Sequence, residues 1–474
     1  MRKIELFEPN NFEAERHFYP KALNSQLHAM VSHFFNLDHE RIIQRYVHLN
    51  PKVQPEVLKN LLTYQSKYFF WGGSDLFYVT TQQGNRKMVV LETNSCPSGQ
   101  KSMPPRTDDD EHRGYKYLIE RSFLPLLKKK RLPKGALAVI YDKNYMEVSG
   151  YASTLADLTQ EEVYLIPHFH GENQHLSSRE DVLTVRLESG EHIPIRAAIR
   201  YVTQKPWNRL PVTSKTFIYN STLVCLSGGR NKLVANKAYE LFNSELSGSG
   251  LKIHVPETIK DVSKLEIPLW VQKFGGKAVI KIPYSNAGQG VFTITHPEEL
   301  DRFMEQDHPY DQFIVQSLIG HYNWSSVSDH GRYFHVGTVP NKKGNIFIAD
   351  IRMMIYSSPE GFFPCATYAR RARKPLEPKM GDNSWEVLGT NLSKKVAENQ
   401  WDSETSRLML MDRKDFNALG IGIDDLIEAY IQTVLTVIAI DKMAQNLINK
   451  KGQFRMKLFR SLDHDEALLR EIME

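Results

Sequence analysis

A short apolar run that carries a lysine and leads into a loop of small residues constrains the fold of this chain more than any other feature. The run is Val279–Ile282 and contains Lys281; the loop follows over 283–290, and the apolar pattern resumes at Val291. Two β-branched runs on either side of a glycine-containing loop are typical of a β-hairpin, whereas a strand that leads into a helix would show helical spacing after the loop. The sequence therefore predicts a hairpin with a glycine tip.

The predicted tip has the composition of a loop that binds phosphate. Backbone N–H groups in such a tip can donate to phosphate oxygens, and Gly288 and Gly290 permit the close approach. Lys281, one residue inside the strand, would direct a cation at the same phosphates. The loop has neither the Walker spacing nor that of a dinucleotide-binding turn. Taken alone, a glycine hairpin with a lysine is more often only a structural hairpin, so further segments have to decide.

Length and composition describe a globular protein with core enough for about two or three domains. The chain has 474 residues, of which 41% are hydrophobic and 24% are charged. These fractions are ordinary for a folded soluble protein. A net charge of +5 suits a cleft that takes an anionic ligand and does not call for a nucleic acid.

Cysteine usage and hydropathy predict the compartment. Cys96, Cys225 and Cys365 are far apart and odd in number, which argues against a disulfide framework and for a reducing environment. The N-terminal residues lack an apolar core long enough for a signal peptide, and the sequence has no run of ~18 apolar residues. We therefore expect a cytoplasmic protein without a membrane partner.

Apolar spacing and turn residues divide the chain into three predicted regions. Residues 1–115 hold an N-terminal helical region and a hairpin with strands near 75–79 and 88–92. Residues 116–225 alternate short strands with helices, which predicts a small α/β layer with parallel strands. Residues 226–474 continue with a helix, strand-rich lobes and an apolar helix. The predicted strands of the middle region are 136–141, 163–166 and 197–202, and the predicted helices of the last region are 232–242 and 423–440.

Oxygen-bearing side chains mark the end of the predicted hairpin. Strand alternation places Glu92 and Asn94 on one face and Thr93 on the other. A carboxylate beside an amide oxygen is a pair of hard ligands that suits Mg²⁺ bridging nucleotide phosphates. Asp75, on the preceding strand, could add a third oxygen. Glu-x-Asn is a common tripeptide, so this pattern also requires support from elsewhere in the chain.

Arginines and one asparagine in the last region could face a ligand. Asp350 and Arg352 alternate along one predicted strand and so share a face. Arg371 and Asn391 follow further along the chain. Arginines in a cleft can clamp a phosphoryl group or a carboxylate, and the alternative for each one is a surface salt bridge.

The apolar strand 313–319 could bind an adenine ring through its backbone. Gln316 and Leu318 lie where such backbone groups would be presented. A core strand with no ligand explains most of the same pattern. The assignment of an adenine-binding role therefore depends on the presence of the other motif segments in the chain.

Together these segments resemble the ATP-grasp superfamily, whose members commonly present a lysine, a glycine-loop hairpin, an adenine-binding strand, an Asp-x-Arg strand and, last, a Glu-x-Asn metal strand. Here Glu92-Thr93-Asn94 comes before the glycine loop, and no second Glu-x-Asn follows in 443–474. The resemblance is therefore to the circularly permuted branch, which includes eukaryotic-type glutathione synthetases and glutathionylspermidine synthetases. It implies an α+β fold, a circularly permuted ATP-grasp core with a small α/β pre-ATP-grasp domain.

The resemblance also implies ATP and Mg²⁺ as cofactors and assigns roles to residues. The segment 226–232 before a helix is similar to that family's first ATP-lysine segment, which points to Lys232. Arg352, Arg371 and Asn391 are implied to face the transferred phosphoryl group or the substrate. The implied metal ligands are Asp75, Glu92 and Asn94, and the implied ATP ligands are Lys232, Lys281, Asn286, Ala287, Gly288, Gln289, Gly290, Gln316 and Leu318.

Two departures from the family pattern concern the substrate and the metal. Ser285 stands near the position where the family has a metal-binding glutamate before its glycine triplet, and Gly73 stands where the family has a substrate-binding arginine. The ATP half of the pattern is retained, whereas substrate recognition differs. A glutathione synthetase activity is therefore not implied.

The implied reaction is ligation. ATP-grasp ligases transfer the γ-phosphoryl group of ATP to a carboxylate, and an amine then displaces phosphate from the acylphosphate. The partners would be a small carboxylate and a small amine, such as an amino acid, a peptide or a polyamine; a homodimer is left open. The alternatives are a small-molecule kinase on the same fold and a degenerate nucleotide-binding module.

Overall fold

The protein is a mixed α+β structure with several β-sheets. The computed structural model describes residues 2–107, 110–171, 175–204, 208–285, 290–381, 383–397 and 400–473. The strands are β1 (Glu5–Phe7), β2 (Trp71–Thr81), β3 (Arg86–Ser95), β4 (Ala136–Tyr141), β5 (Val163–Pro167), β6 (Leu176–Arg179), β7 (Val182–Arg186), β8 (His192–Tyr201), β9 (Phe217–Tyr219), β10 (Thr258–Val262), β11 (Ala278–Lys281), β12 (Val291–Ile294), β13 (Phe313–Ser317), β14 (Tyr333–His335), β15 (Ala349–Ser358), β16 (Gly361–Arg371), β17 (Ser393–Ala397), β18 (Gln400–Ser403) and β19 (Leu408–Met409).

The helices surround these sheets and, in one case, fill the core. They are α1 (Ala14–His17), α2 (Pro20–Leu23), α3 (Ala29–Phe35), α4 (His39–Leu49), α5 (Pro55–Leu62), α6 (Arg113–Leu118), α7 (Leu124–Lys129), α8 (Tyr145–Thr159), α9 (Thr222–Val224), α10 (Lys232–Glu245), α11 (Ile267–Lys273), α12 (Pro297–Glu305), α13 (Ser384–Leu388), α14 (Arg413–Leu419), α15 (Ile423–Asn446), α16 (Met456–Leu462) and α17 (Glu466–Met473). Within the described ranges, no helix combines the length and apolar character needed to cross a bilayer.

The middle region contains the predicted parallel strands. The sheet runs β1-β5-β4-β8-β7-β6, and β9 pairs with β8. Strand β4 is parallel to both β5 and β8, which confirms the three predicted strands as parallel neighbours. The sheet is extended by an antiparallel hairpin, β6–β7, that joins β8. The hairpin lies between β5 and β8 in sequence and was not predicted, because β6 is mostly polar and exposed and only β7 has an apolar run.

The N-terminal hairpin shares a sheet with strands from far along the chain. Strand β2 pairs with β3, with β15 and, near its end, with β14, all antiparallel. The predicted hairpin and the predicted Asp-x-Arg strand are thus neighbours in one sheet. Helix α15 packs against β2, β3 and β15. It is longer than predicted, because its apolar residues are buried as far as Ala444.

The glycine loop closes a hairpin, as the sequence predicts. Strands β11 and β12 are antiparallel, with Lys281 opposite Val291. They belong to the sheet β10-β13-β11-β12, so β13 is the other neighbour of β11. Gly290 has a φ of 74°, a left-handed conformation that glycine adopts without strain. The predicted loop residues Asn286, Ala287, Gly288 and Gln289 lie outside the described residues.

Candidate functional site

The β2–β3 hairpin presents Glu92 and Asn94 on one face, as alternation predicts. The Asn94 Nδ2 atom donates to Glu92 Oε1 over 3.1 Å. Thr93 points the other way, where its Oγ1 lies 2.9 Å from the Ser74 hydroxyl, which in turn lies 3.0 Å from Thr436 of α15. One face of the hairpin is therefore packed on α15, and the other carries the oxygen ligands.

A β-bulge beside Glu92 frees a backbone acceptor. Asp75 pairs with Glu92 and Leu76 pairs with Val90, so Leu91 is the extra residue in β3. The Leu91 carbonyl accepts a hydrogen bond of 3.2 Å from the Lys281 ammonium. The bulge thus brings the lysine of the glycine hairpin to the metal-ligand strand, a contact between residues 190 positions apart in sequence.

Lys232 reaches the same carboxylate from a third segment. Helix α10 begins at Lys232 because the Asn231 side chain accepts from the N–H groups of Leu233 and Val234. The Lys232 ammonium donates to the Ser285 carbonyl over 2.7 Å and lies 3.4 Å from Glu92 Oε2. It therefore bridges the base of the glycine loop and the oxygen-ligand face.

These four side chains form what we call the lysine–glutamate cluster: Glu92, Asn94, Lys232 and Lys281. Burial acts to raise the pKa of Glu92. The charges of Lys232 and Lys281 and the hydrogen bond from Asn94 outweigh it, so the pKa lies below its usual value. Burial lowers the pKa of Lys281 to about 8, against the opposing effect of Glu92. Two cations thus share one carboxylate, an excess of positive charge that a phosphate would neutralise.

A second group of charges lies on the same sheet face, and we call it the arginine–aspartate network: Asp75, Asp350, Arg352 and Arg370. Arg352 donates to both oxygens of Asp75, over 2.6 and 2.7 Å. Arg370 contacts Asp75 Oδ2 at 2.8 Å and also bonds the Asp350 carboxylate. Burial acts to raise the pKa of Asp75, but the two guanidinium groups hold it well below its usual range.

The network bears on the predicted metal ligands. Both oxygens of Asp75 are engaged by guanidinium groups, so this geometry favours an ion-pair role for Asp75 over coordination of a cation. Glu92 fits a magnesium ion better, because its side chain keeps 28% of its surface exposed and no guanidinium covers it in the described structure. The Asn94 amide oxygen accepts from Arg230 over 3.3 Å and would have to exchange that donor for the ion. Among the residues that the structure describes, no group of three or more acidic, histidine or cysteine side chains could hold a metal by itself. A bound Mg²⁺ would therefore need further oxygens, as nucleotide phosphates provide.

Two of the predicted catalytic residues make contacts with residues outside the lysine–glutamate cluster. The Arg371 guanidinium lies 4.7 Å from the Phe347 ring centroid, on the opposite face of β16 from Arg370. The Asn391 side chain donates to the Ser393 carbonyl over 3.5 Å, and the Asn391 carbonyl accepts from Arg407. The pairing of Asp350 with Arg370 identifies Arg370 as the member of the run 370–371 that reaches the network.

The predicted adenine-binding residues sit beside the glycine hairpin but have partners of their own. The Gln316 side chain donates to Thr258 over 2.8 Å. The Leu318 N–H donates to the Ser326 hydroxyl over 2.6 Å, and the Leu318 carbonyl accepts from the Ser326 N–H. A purine that used the Leu318 backbone would have to displace Ser326, so this role stays a prediction.

Arg230 is a further residue of the site that the sequence motifs did not predict. Its guanidinium donates to Asn94 Oδ1 over 3.3 Å and to the carbonyls of Ser95 and Cys96 over 2.7 and 3.3 Å. The sequence did signal it, because Arg230 lies two residues before Lys232 in the segment already singled out. Only Lys232 of this segment was predicted, because the family resemblance assigns an ATP-binding role to a lysine.

Tyr368 and Gly99 complete this wall of the site. The Tyr368 hydroxyl donates to the Ser98 carbonyl over 3.0 Å and lies 3.3 Å from Arg352 Nη1. A Cβ atom on Gly99 would lie 2.7 Å from the Tyr368 ring, so only glycine permits this approach. Tyr368 could have been found from strand parity, since it alternates with Arg370 along β16.

Comparisons with known proteins add the following. No family model matches the chain, and no curated protein is similar enough to match it. Among solved structures, the chain is similar to a glutathione synthetase-like effector from Globodera pallida, with 9% identity over 72% of this chain and 82% of that chain, at a TM-score of 0.38. It is also similar to a RimK-domain ATP-grasp protein from Sphaerobacter thermophilus. The identity is 13% over 49% of this chain and 90% of that chain, at a TM-score of 0.31.

A third similarity is to D-alanyl-alanine synthetase A from Vibrio cholerae, with 11% identity over 55% of this chain and 95% of that chain, at a TM-score of 0.31. The Sphaerobacter thermophilus structure carries the name of the superfamily that the sequence motifs resemble. Because the TM-scores are low, the functional argument rests on the residues and contacts of this chain.

Proposed function

We propose that the protein is an ATP-dependent, ADP-forming ligase that joins a carboxylate to an amine through an acylphosphate. The observation that carries this proposal is the lysine–glutamate cluster. Three segments distant in sequence, the β2–β3 hairpin, the start of α10 and the glycine hairpin, meet here: Lys232 lies beside the Glu92 carboxylate, and Lys281 bonds the adjacent Leu91 carbonyl. This donor set suits a triphosphate with its magnesium ion.

The proposal assigns the fold as a circularly permuted ATP-grasp core, with 1–115 supplying the metal hairpin, 116–225 the pre-ATP-grasp domain and 226–474 the remaining lobes. The sharing of one sheet by β2, β3 and β15 supports it, since the first and third regions then build a single site. A cytoplasmic location belongs to the same proposal. The three cysteines are buried and free, which is compatible with a reducing compartment.

Each cluster residue has a stated task. Lys232 and Lys281 bind phosphate oxygens, and the backbone around Gly290 covers them. Glu92 and Asn94 would hold Mg²⁺, which when bound would neutralise charge on the phosphates. Arg352 lies on the same face and is anchored by Asp75. We assign to it the stabilisation of the negative charge that develops on the transferred phosphoryl group.

Trapping with hydroxylamine tests the proposal. The protein is incubated with ATP, Mg²⁺ and a panel of carboxylic acids, with and without hydroxylamine, and both ADP and hydroxamate are measured. We expect ADP release that depends on a carboxylate and yields the matching hydroxamate. The Glu92→Gln variant is the control and should form neither product.

Two results would contradict ligation. A stable phosphorylated alcohol without hydroxamate from any acid identifies a kinase instead. Binding of ATP with no ADP release under any condition identifies a nucleotide-binding module.

A further inference from the structure

The carboxyl edge of the parallel sheet contains a topological switch point whose residues the proposed ATP site does not use. Strand β4 lies between β5 and β8, and the chain leaves β4 towards β5 on one side, whereas β8 continues to β9 on the other. Ligands of open α/β sheets bind where such connections diverge. The residues at this point are 142–144 after β4 and 202–204 after β8.

Asp142, the first residue after β4, is fully committed to the scaffold. Its carboxylate accepts from the N–H groups of Thr203 and Gln204 over 2.9 and 2.7 Å. Arg209 donates to the same carboxylate over 2.9 Å. These bonds hold the loops after β4 and β8 together, and they leave Asp142 little capacity to neutralise another cation.

Asn144, on the other side of Lys143, is also occupied. Its Oδ1 atom accepts from the Lys101 ammonium over 2.7 Å, and its Nδ2 atom donates to the Tyr201 hydroxyl over 3.0 Å. Asn144 has a φ of 63°, so the backbone turns sharply after Lys143. The scaffold thus fixes both neighbours of Lys143 while leaving that side chain unengaged.

Lys143 is half-buried and makes no hydrogen bond or ion pair in the part of the chain that the structure describes. Burial lowers the pKa of Lys143 to about 8; the charges of Arg230, Arg352 and Lys101 lower it as well, and that of Asp142 acts in the other direction. A half-buried ammonium among other cations is costly unless an anion compensates it.

The nearby protein carboxylates cannot supply that anion. Asp75 is paired with Arg352 and Arg370. Glu147 is fully buried and accepts from the N–H groups of Gly99 and Gln100 over 2.9 and 3.0 Å. The charge of Lys143 is therefore left for a ligand.

Two arginines connect this switch point to the proposed ligase site. Arg230 and Arg352, both among the charges that act on Lys143, bond the carbonyls of Ser95 and Ser98, respectively. Ser95 directly follows Asn94 of the lysine–glutamate cluster. One ligand could thus reach from the proposed phosphoryl-transfer site to Lys143.

We propose that Lys143 binds an anionic group of the acid substrate other than the carboxylate that reacts, so that the substrate is an acid with at least two anionic groups. That the anion belongs to an acid substrate rests on the proposed function; the anion site itself rests on the sheet topology and on the unpartnered ammonium. Carboxylates and phosphates would both satisfy Lys143, and a second carboxylate is the simplest case.

The test uses matched acids that differ by one carboxylate: glutarate against valerate, and N-acetylglutamate against N-acetylnorvaline. Their binding to the full chain is measured by calorimetry at pH 7 for the wild type, Lys143→Met, Lys143→Arg and the exposed control Lys129→Met. We expect the wild type and the control to prefer the acid with two carboxylates by about tenfold or more in at least one pair. Lys143→Met should remove the preference, and Lys143→Arg should retain most of it.

Equal binding of both members of every pair to the wild type, or a preference that survives in Lys143→Met, overturns the proposal. Binding is measured without ATP, so its outcome is separate from that of the ligase assay. Hydroxamate formation from acids with one carboxylate as readily as from those with two would leave ligation standing and would also overturn the role of Lys143. A Lys143-dependent preference without any hydroxamate would retain the anion site and reject ligation.

Discussion

Asp75 and Glu92 are cross-strand partners in one hairpin, yet the protein satisfies their charges in opposite ways. Asp75 belongs to the arginine–aspartate network and receives short hydrogen bonds from two guanidinium groups. Glu92 belongs to the lysine–glutamate cluster, where the Lys232 ammonium lies 3.4 Å away and bonds a backbone carbonyl instead. A saturated pair stabilises the fold, whereas a loosely compensated one can exchange its partners for a ligand.

This difference separates stability from binding on one sheet face. The network uses arginines, whose planar groups with several donors match carboxylates. The cluster uses lysines, which are compact charges on flexible stems and whose pKa responds to burial. We therefore expect a neutral substitution of a network aspartate to act mainly on unfolding, and a neutral substitution of a cluster residue to act mainly on ATP.

The largest expected effect is on the network. Asp75→Asn keeps the size of the side chain but leaves Arg352 and Arg370 short of negative charge in a buried place. We expect the free energy of unfolding to fall by about 3–5 kcal/mol, measured by urea denaturation at pH 7. The exposed control Asp329→Asn, whose partner Lys273 lies 3.1 Å away, should change it by less than about 1 kcal/mol. If Asp75→Asn were as stable as the wild type, the arginine–aspartate network would not differ from the lysine–glutamate cluster in its contribution to stability.

The matching change in the cluster is Glu92→Gln. Because no guanidinium pairs with Glu92 in the described structure, we expect the free energy of unfolding to stay within about 1 kcal/mol of the wild type. ATP turnover should fall about 100-fold or more, since a proposed magnesium ligand is lost. ADP release and urea denaturation on one preparation measure both. Wild-type turnover in this variant would overturn the metal assignment.

Lys281→Met tests whether binding and stability oppose each other in the cluster. We expect ATP affinity to fall about tenfold, because one phosphate contact is lost. The pKa of about 8 means that the fold disfavours the lysine charge. The unfolded chain therefore binds more protons between pH 8 and pH ~10.4, and wild-type stability rises with pH in that window relative to the variant.

At pH 7, Lys281→Met should accordingly be the more stable protein by about 1 kcal/mol, and this advantage should disappear as pH approaches 10. Urea denaturation at both pH values measures it. The exposed Lys342→Met control should show neither the loss of ATP affinity nor the pH dependence. A variant that is less stable than the wild type at pH 7 would show that Lys281 supports the fold.

The sequence predicted the parts of this comparison that depend on local pattern. Strand alternation was enough to place Glu92 and Asn94 together, and the apolar runs around Lys281 were enough to predict the hairpin. The meeting of these segments depends on the bulge at Leu91, which no local pattern announces because a bulge is defined by the partner strand. The resemblance to known ligases supplied the expectation that they meet.

The partners of individual side chains could not be predicted from local sequence patterns either, because they too depend on the neighbouring strand. Arg370 and Arg371 are equivalent in sequence, and only the register with Asp350 decides which one enters the network. Asp75 looked like a metal ligand because its guanidinium partners come from strands some 280 residues later. Lys143 drew no attention, since an unpartnered lysine is recognised only when its surroundings are known.

The smallest expected effect concerns the base of the glycine loop. The Tyr284 hydroxyl donates to Asp463 over 2.7 Å, and the same carboxylate accepts from the Asn231 side chain. Asn231 in turn caps helix α10, whose first residue is Lys232. Tyr284 is therefore a positioning residue that links the loop to the start of the helix.

Tyr284→Phe removes this hydroxyl and leaves the ring in place. We expect the free energy of unfolding to fall by about 1 kcal/mol, the usual value of a single hydrogen bond. ATP affinity should fall less than in Lys281→Met, because Lys232 keeps its bond to the Ser285 carbonyl and Asn231 still caps the helix. Urea denaturation and ATP titration, run beside Tyr322→Phe as an exposed control, measure the two effects. A loss of ATP affinity as large as that of Lys281→Met would mean that the loop base, and not the lysine charge, governs phosphate binding.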